Sequence, residues 1–551
     1  MTAVNPNIPM SPVPEEGGPG TLAAMLTLDL SPYTGSWDEK TVKHLLRRTL
    51  FGTRHSEVQS YLALGSQDNA LINLFSIKPL TSLPLVNYTN GDDIKEPSAK
   101  DGETWIHEDW NNEIEYYRLL SLKTWWLDLM LKDQTIFEKM VVFWHNHIPV
   151  EMVGVFHGRQ SFDYLMTLRK YALGNFKQLV KALTIEPIML FYLNGNANDK
   201  SAPDENYSRE LQELFCIGKG PEARFTEDDV KAAARVLTGW KTDYLKPKTF
   251  FAPWAHDTQD KQFSSFYTNK VIKGRSGEAG REELDELIDM IVTHPETALF
   301  VCRKLYRFFV YPEISDWTEI NIIQPLAEIF TKNNFEILPV LKALLGSNHF
   351  FDPLLHLAMI KSPLDYSIGF NRHFNMQFPE SPTAYKAKFQ AQTVMYYFLT
   401  SFQLDIGDPP NVSGWPAYYQ FPQYDKSWIS THTIHQRGIH SDMLVWYGYQ
   451  MANGVANIDW IAYTDTFNQP ENPTALIDEV LARLYDVPVD PEVKKHLKSI
   501  LLSGQINEYY WTGAWLELKA KPNDAMVRNT VEVRLKIFYQ FILQMDEYQI
   551  M

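Results

Sequence analysis

The chain has 551 residues and a formal net charge of −16 at pH 7, enough length for two or three domains or for one large helical body. An acidic chain with no long basic run lacks the cations that neutralise phosphates, which argues against nucleic acid as a partner. No stretch approaches the ~20 apolar residues of a membrane-spanning helix. Two cysteines without a CxxC neighbour do not make a zinc knuckle or a thioredoxin-like redox pair.

Residues 1–20 are rich in Pro, Gly and small polar residues, with no basic segment. The mildly apolar run 22–30 is interrupted by Thr27 and Asp29. This makes a poor signal peptide, so residues 1–33 are expected to be a flexible tail and the protein cytoplasmic. Ser36 with Glu39 reads as a capping box for a first helix, with Val42, Leu45 and Leu46 on one face and Gly52 past its end. Thr53 opens a second helix that stops at Gly65, and the Pro-, Asn-, Asp- and Gly-rich run 76–111 reads as a long loop. Helical periodicity then predicts helices over 113–132, 134–147, 158–173, 175–185 and 204–217, with Gly174 and Gly218 where C-terminal caps belong. Thr226 with Asp229 starts another, which runs to Gly239.

Residues 241–277 mix Phe250, Phe251, Phe263, Phe266, Tyr267, Val271 and Ile272 with polar and Gly positions. They predict a small β-hairpin or ordered loop insert near 245–275. Helices resume over 280–293, 296–310, 318–332, 335–346, 362–372 and 384–404, followed by a Pro/Gly/aromatic loop at 405–426. Three or four more helices are expected within 465–551. The expected fold is mainly α: a large multi-helix core over 34–440, with a C-terminal helical extension over 441–551 packed on it. Cys216 and Cys302 lie in apolar surroundings and read as buried thiols, with a disulfide between them as the alternative.

The helix over 204–217 is the densest in chemistry. Asn206, Glu210 and Glu213 share one face, and Glu205, Arg209 and Glu213 form a ladder at spacing four. Leu211, Leu214 and Phe215 form the core-facing stripe, so at least one carboxylate lies close to it. The plain reading is a set of helix ion pairs, each worth about 0.3–0.5 kcal/mol when exposed. The sharper one is a ligand, metal or buried network.

Several ordered runs carry a resemblance. They are Phe143-Trp144-His145-Asn146-His147; Glu205-Asn206-Tyr207-Ser208-Arg209-Glu210-Leu211-Gln212-Glu213-Leu214-Phe215; Phe225-Thr226-Glu227-Asp228-Asp229-Val230 with Leu237-Thr238-Gly239-Trp240; His256-Asp257; His294-Pro295; and Pro409-Pro410-Asn411-Val412-Ser413-Gly414-Trp415-Pro416. In this order, over roughly residues 40–440, the chain resembles the bacterial family called domain of unknown function 1800. The resemblance implies an exported or periplasmic protein, encoded beside a sulfatase-like partner. Where the family has a glycine after the His-Asp pair, this chain has Thr258-Gln259-Asp260-Lys261.

His145 and His147 lie two apart, about 200° around a regular helix. They can share a metal only if the helix ends near His145, which Pro149 makes feasible. A divalent site for zinc, iron or manganese would draw on His145, His147, Glu210 and His256. A metal-free alternative uses Glu210 and Glu213 as an acid/base pair, with Arg209 and Asp257 beside them. Asn206, Arg235, Asn411 and Trp415 are candidates for substrate binding, Trp415 through its aromatic face. The absence of a nucleophile elbow or P-loop makes serine hydrolase and ATPase readings poor. The expectation is a metal-assisted hydrolase acting on a polysaccharide or peptide. The alternative is a non-catalytic binding or assembly protein that acts with a sulfatase-like or export-linked partner.

Overall fold

The computed structural model describes residues 21–91, 93–380 and 383–551. They form the expected mainly α body, with three short antiparallel strand pairs among the described residues. Of the expected flexible tail, residues 1–20 lie outside the described residues. Residues 21–33 are ordered by packing: Ala23 and Leu26 are fully buried, the amide of Asn348 donates to the Ser31 carbonyl at 2.8 Å, and His349 Nδ1 meets the Leu28 carbonyl at 2.7 Å. Two apolar anchors three residues apart outweigh the loose composition that precedes them.

The helix Glu39–Thr49 buries Val42, Leu45 and Leu46, as its periodicity requires. Its cap is Asp38 rather than Ser36. The Asp38 carboxylate accepts from the Thr41 amide, and Ser36 Oγ donates to Asp38 at 2.8 Å. The carboxylate is the stronger acceptor for an unpaired helix N–H. The Thr226–Asp229 box forms as expected at the start of Glu227–Val236.

The central helices Glu115–Lys132, Phe137–His147, Gly158–Tyr171, Phe176–Thr184 and Pro295–Phe309 fall within a few residues of their predicted bounds. Pro187–Tyr192 and Thr431–Trp446 have no predicted counterpart. The latter crosses residue 440 and packs along Ala525–Gln544. The expected boundary at 440 falls inside this helix, whose C-terminal part belongs to the expected extension.

The insert pairs Trp240–Lys241 with Phe250–Phe251, and Lys261–Gln262 with Val271–Ile272. A third pair, Tyr449–Met451 with Gly454–Ala456, lies in the C-terminal part. The insert is fastened by side chains. Tyr267 donates to Gln212 Oε1 at 2.8 Å, and Asp229 accepts from the amide and hydroxyl of Ser264 at 2.6 and 2.7 Å. Cys216 and Cys302 are both buried free thiols. Among the described residues no helix is long and apolar enough to cross a membrane.

Gly52 and Gly369 approach so closely that a Cβ on Gly52 would lie 2.2 Å from the Gly369 backbone. Gly52 also holds φ +72°, so only glycine fits there. This contact positions Arg372, which is fully buried. Arg372 grips both Glu57 carboxylate oxygens at 2.9 Å and donates to the carbonyls of Gly52 and Leu131 at 3.2 and 3.0 Å. Removing the guanidinium strands a buried carboxylate and several carbonyls. Arg372→Met is expected to lower the unfolding free energy by about 3–5 kcal/mol in urea titrations, and a Glu57→Gln/Arg372→Met double variant to recover part of that loss.

Candidate functional site

Three of the resembling runs meet where Phe137–His147 ends. His147 Nε2 donates to the carbonyl of Phe215 at 2.9 Å. That fixes the tautomer and leaves Nδ1 as a buried lone pair with no partner. Burial, reinforced by the positive charge of Lys304, pushes this imidazole down to about 3, so it is neutral.

His145 is fixed as firmly. Tyr164 spends its one proton on the Ile148 carbonyl at 2.8 Å, so its oxygen must accept from His145 Nδ1 at 3.0 Å. His145 Nε2 is then a second buried lone pair without a donor. Burial holds this ring neutral as well, at about 3.

Asn146, between them, accepts the Trp415 amide on Oδ1 at 2.9 Å. A Cβ at Gly414 would come within 2.3 Å of the Asn146 carbonyl, and Gly414 holds φ +86°. The Gly-Trp step is thus the one that lets loop 409–416 clamp onto the helix end.

The Glu210 helix departs from its prediction. Asn206–Glu210 is α, but Leu211–Cys216 is a π-helix, with the Ile217 amide donating to the Gln212 carbonyl at 2.8 Å. The spacing-four ladder of Glu205, Arg209 and Glu213 persists, with its second rung lengthened. Arg209 reaches Glu205 at 3.0 Å and Glu227 at 2.7 Å, but Glu213 only at 3.7 Å. Glu213 pairs instead with Lys219 at 2.8 Å. Asn206 is half-buried at the first turn, where its amide is held by Asp204 at 2.9 Å.

Glu210 is left with Oε2 buried and unpartnered. Burial raises its carboxyl above the usual range and the charge of Glu213 adds to that rise, against the pull of Lys219 and Arg209. Glu210 also acts on Tyr192, whose phenol is raised by burial and by Glu151, Asp408 and Glu210 together. Tyr192 donates to Glu151 at 3.4 Å. Asp408 accepts the Val153 amide at 2.7 Å and faces Lys123 at 2.6 Å. The charges of Glu151, Asp408 and Glu210 thus act together on one tyrosine.

On the other side of the His147 junction, Pro295–Phe309 packs against the π-helix and against the 3₁₀ turn Pro416–Tyr418. Lys304 lies there, with its ammonium 5.3 Å from the Phe300 ring and 5.9 Å from that of Tyr419. The exposed Asn411 donates to the Tyr419 hydroxyl at 3.3 Å.

The remaining predicted residues form a separate, saturated network. His256 Nδ1 faces the Thr238 carbonyl at 2.9 Å, and Nε2 faces Glu283 at 3.1 Å. Glu283 also binds Lys261 at 2.6 Å and the Arg275 amide at 2.7 Å. Burial opposes ionisation of Glu283, but the bonds from His256 and Lys261 hold its carboxyl below the usual range. Arg235 takes Asp257 in a fork at 2.7 and 3.2 Å. That pair overcomes burial and holds Asp257 below the ordinary carboxylate range.

The expected metal set of His145, His147, Glu210 and His256 is therefore not assembled. His256 has both nitrogens engaged, and His147 has one committed to a carbonyl. Among the described residues no group of three His, Cys, Asp or Glu side chains is placed to hold a metal. Asp257 and Arg235 satisfy each other and brace the insert. Trp415 is 1 % exposed, so it wedges against His145 and offers no face to a substrate.

Glu151, Tyr192, Asp408 and Lys304 are absent from the sequence-level candidates. The signal for Lys304 is a charge four residues after Phe300 and four before Phe308, in the middle of an aromatic helix row. The first three are brought together by the fold alone.

A family model described as "Protein of unknown function (DUF1800)" matches residues 44–550, and the chain belongs to that family. The match includes the C-terminal helices. No curated protein and no solved structure matches the chain.

Glu186, at the start of the helix that carries Tyr192, is pushed by burial up to about 7, against a hydrogen bond from Thr167 at 2.9 Å. Its folded form holds a proton that the unfolded chain has already lost above about pH 4.5. Stability is therefore expected to fall as pH rises from about 4.5 to 7 and to stay lowered above that. Glu186→Gln should remove this slope and gain about 2 kcal/mol at pH 8, read from melting curves at a series of pH values.

Proposed function

We propose that the chain is a hydrolase-type enzyme acting on a polysaccharide or peptide, with Glu210 as the proton donor to the leaving group. The supporting observation is the state of that carboxyl: Oε2 is buried without a partner, and the group is raised above the usual range. A carboxylic acid held protonated nearer neutral pH is what general-acid catalysis needs. Across Tyr192, Glu151 is a second carboxylate, oriented by the phenol. It can accept the proton of an attacking water, the division of labour found in paired-carboxylate hydrolysis. Lys123 neutralises Asp405 and Asp408, each at 2.6 Å, which limits repulsion against Glu151. The metal-assisted form of this reaction has no supporting donor set here, so the proposal rests on side chains alone.

Glu210→Gln is expected to reduce turnover by about a hundredfold or more. The same change removes a buried ionisable group whose neutral form the fold already favours, so the melting temperature should stay level or rise near pH 7. A fall in melting temperature with little effect on turnover would overturn the proposal. Dialysis against a chelator is expected to leave turnover and melting unchanged, and elemental analysis should find less than one metal equivalent.

A second reading is the binding or assembly protein that acts with a sulfatase-like or export-linked partner. It draws support from the C-terminal helix Tyr509–Ala520, where Tyr509 and Leu516 lie seven apart on one face and are 73 % and 55 % exposed. Under it, Leu516→Glu abolishes co-purification with that partner, and Glu210→Gln changes nothing.

A further inference from the structure

Lys304 is a charged group that the acid–base chemistry does not use. Its side chain is half-buried, and among the described residues no carboxylate lies within ion-pairing distance of it. Its neighbours are aromatic or cationic. Phe300 and Tyr419 flank it, the neutral His147 lies behind it, and Arg307 sits one helix turn on. Burial, with Arg307 adding repulsion, pushes its ammonium down to about 8. An ammonium enclosed without a counter-charge is costly to the fold, and an anionic partner would remove that cost. Arg307 does not supply a second free cation, because its guanidinium packs on the Tyr424 ring and donates to the Pro312 carbonyl at 3.1 Å.

We propose that Lys304 is a substrate-recognition residue that binds a carboxylate of a uronate-bearing polysaccharide, with Phe300 and Tyr419 taking the sugar faces and Asn411 a hydroxyl. One compact ammonium matches one monoanion, whereas a phosphate dianion is better met by forked donors. A uronate ring carries its carboxylate at the edge of an apolar C–H face. That geometry suits an ammonium set beside two half-buried rings. Asn411 is exposed; its Oδ1 accepts the Ser413 amide at 2.8 Å and keeps a second lone pair for a sugar hydroxyl, while its amide donates to the Tyr419 hydroxyl. This inference rests on the hydrolase reading of Glu210 and narrows its substrate class.

The test is calorimetric titration of the full chain with a short oligogalacturonate, its carboxyl-reduced neutral counterpart and a short polyglutamate. Binding is measured in the wild type and in Lys304→Met, Lys304→Arg and Glu210→Gln. The expected result is binding of the uronate oligomer, weakened about tenfold or more in Lys304→Met and kept within about threefold in Lys304→Arg. Glu210→Gln should bind as the wild type does, and the neutral oligomer should bind weakly and equally to all four proteins. A melting temperature for Lys304→Met at or above that of the wild type shows that the variant folds. If Lys304→Met misfolds, the salt dependence of wild-type uronate binding replaces it, and binding insensitive to salt overturns the proposal. Equal affinity for neutral and acidic oligomers, unchanged binding in Lys304→Met, tighter binding of polyglutamate or no uronate binding at all would each overturn it. Lys304-dependent binding without turnover would instead count against the hydrolase reading and leave the recognition site standing.

Discussion

The bond from His147 Nε2 to the Phe215 carbonyl is the constraint on which the candidate site depends. It joins the end of one helix to a π-turn of another, and each side explains the other. A π-helix changes the phase at which side chains and carbonyls emerge, and here a buried imidazole takes up the Phe215 carbonyl. The same phase change leaves Glu213 turned to Lys219 and Glu210 without a donor. Arg209 keeps a long contact to Glu213 at 3.7 Å while its guanidinium is held more closely by Glu227 at 2.7 Å.

The protein neutralises its buried charge unevenly. Around Arg372, Glu57 and the carbonyls near Gly52 every donor has an acceptor, and around His256, Glu283 and Lys261 the same holds. Such networks fix geometry at high cost if broken. Around the His147 junction the pattern reverses: two imidazole nitrogens, one carboxylate oxygen and the Trp415 indole N–H stay buried without partners. Unsatisfied polar atoms are rare in folded proteins. These four lie on the Phe137–His147 helix end, the Glu210 helix and the clamping loop, where the family's runs meet; others lie elsewhere among the described residues, as at Arg48 and His440.

Much of this was legible in the residues. The apolar periodicity located the central helices to within a few positions, and the crowding at Asn206–Glu213 pointed to Glu210. What was not legible depends on partners distant in sequence. His256 and Asp257 have the residue types of a metal or catalytic pair, and only the positions of Glu283 and Arg235 reveal that both are taken. Trp415 has the character of a sugar platform, and only the Gly414–Asn146 contact shows that it is buried. The π-turn is invisible to a search for 3.6-residue periodicity, because Leu211 and Phe215 keep helical spacing through it. Glu151 and Tyr192 lie some forty residues apart and meet only because the Pro187–Tyr192 helix packs on Met152–Val155.

The protonation states on the two sides of the junction follow from one cause. Burial holds His145 and His147 neutral, raises Glu210 and lowers Lys304. Each group is biased toward its uncharged form, as a poorly hydrated pocket requires. A carboxylate brought to Lys304 pairs with its ammonium and holds it charged. The histidines need not titrate for this. Their role is to hold the helix end, the π-turn and the Asn411 loop in one piece while the charges on either side change.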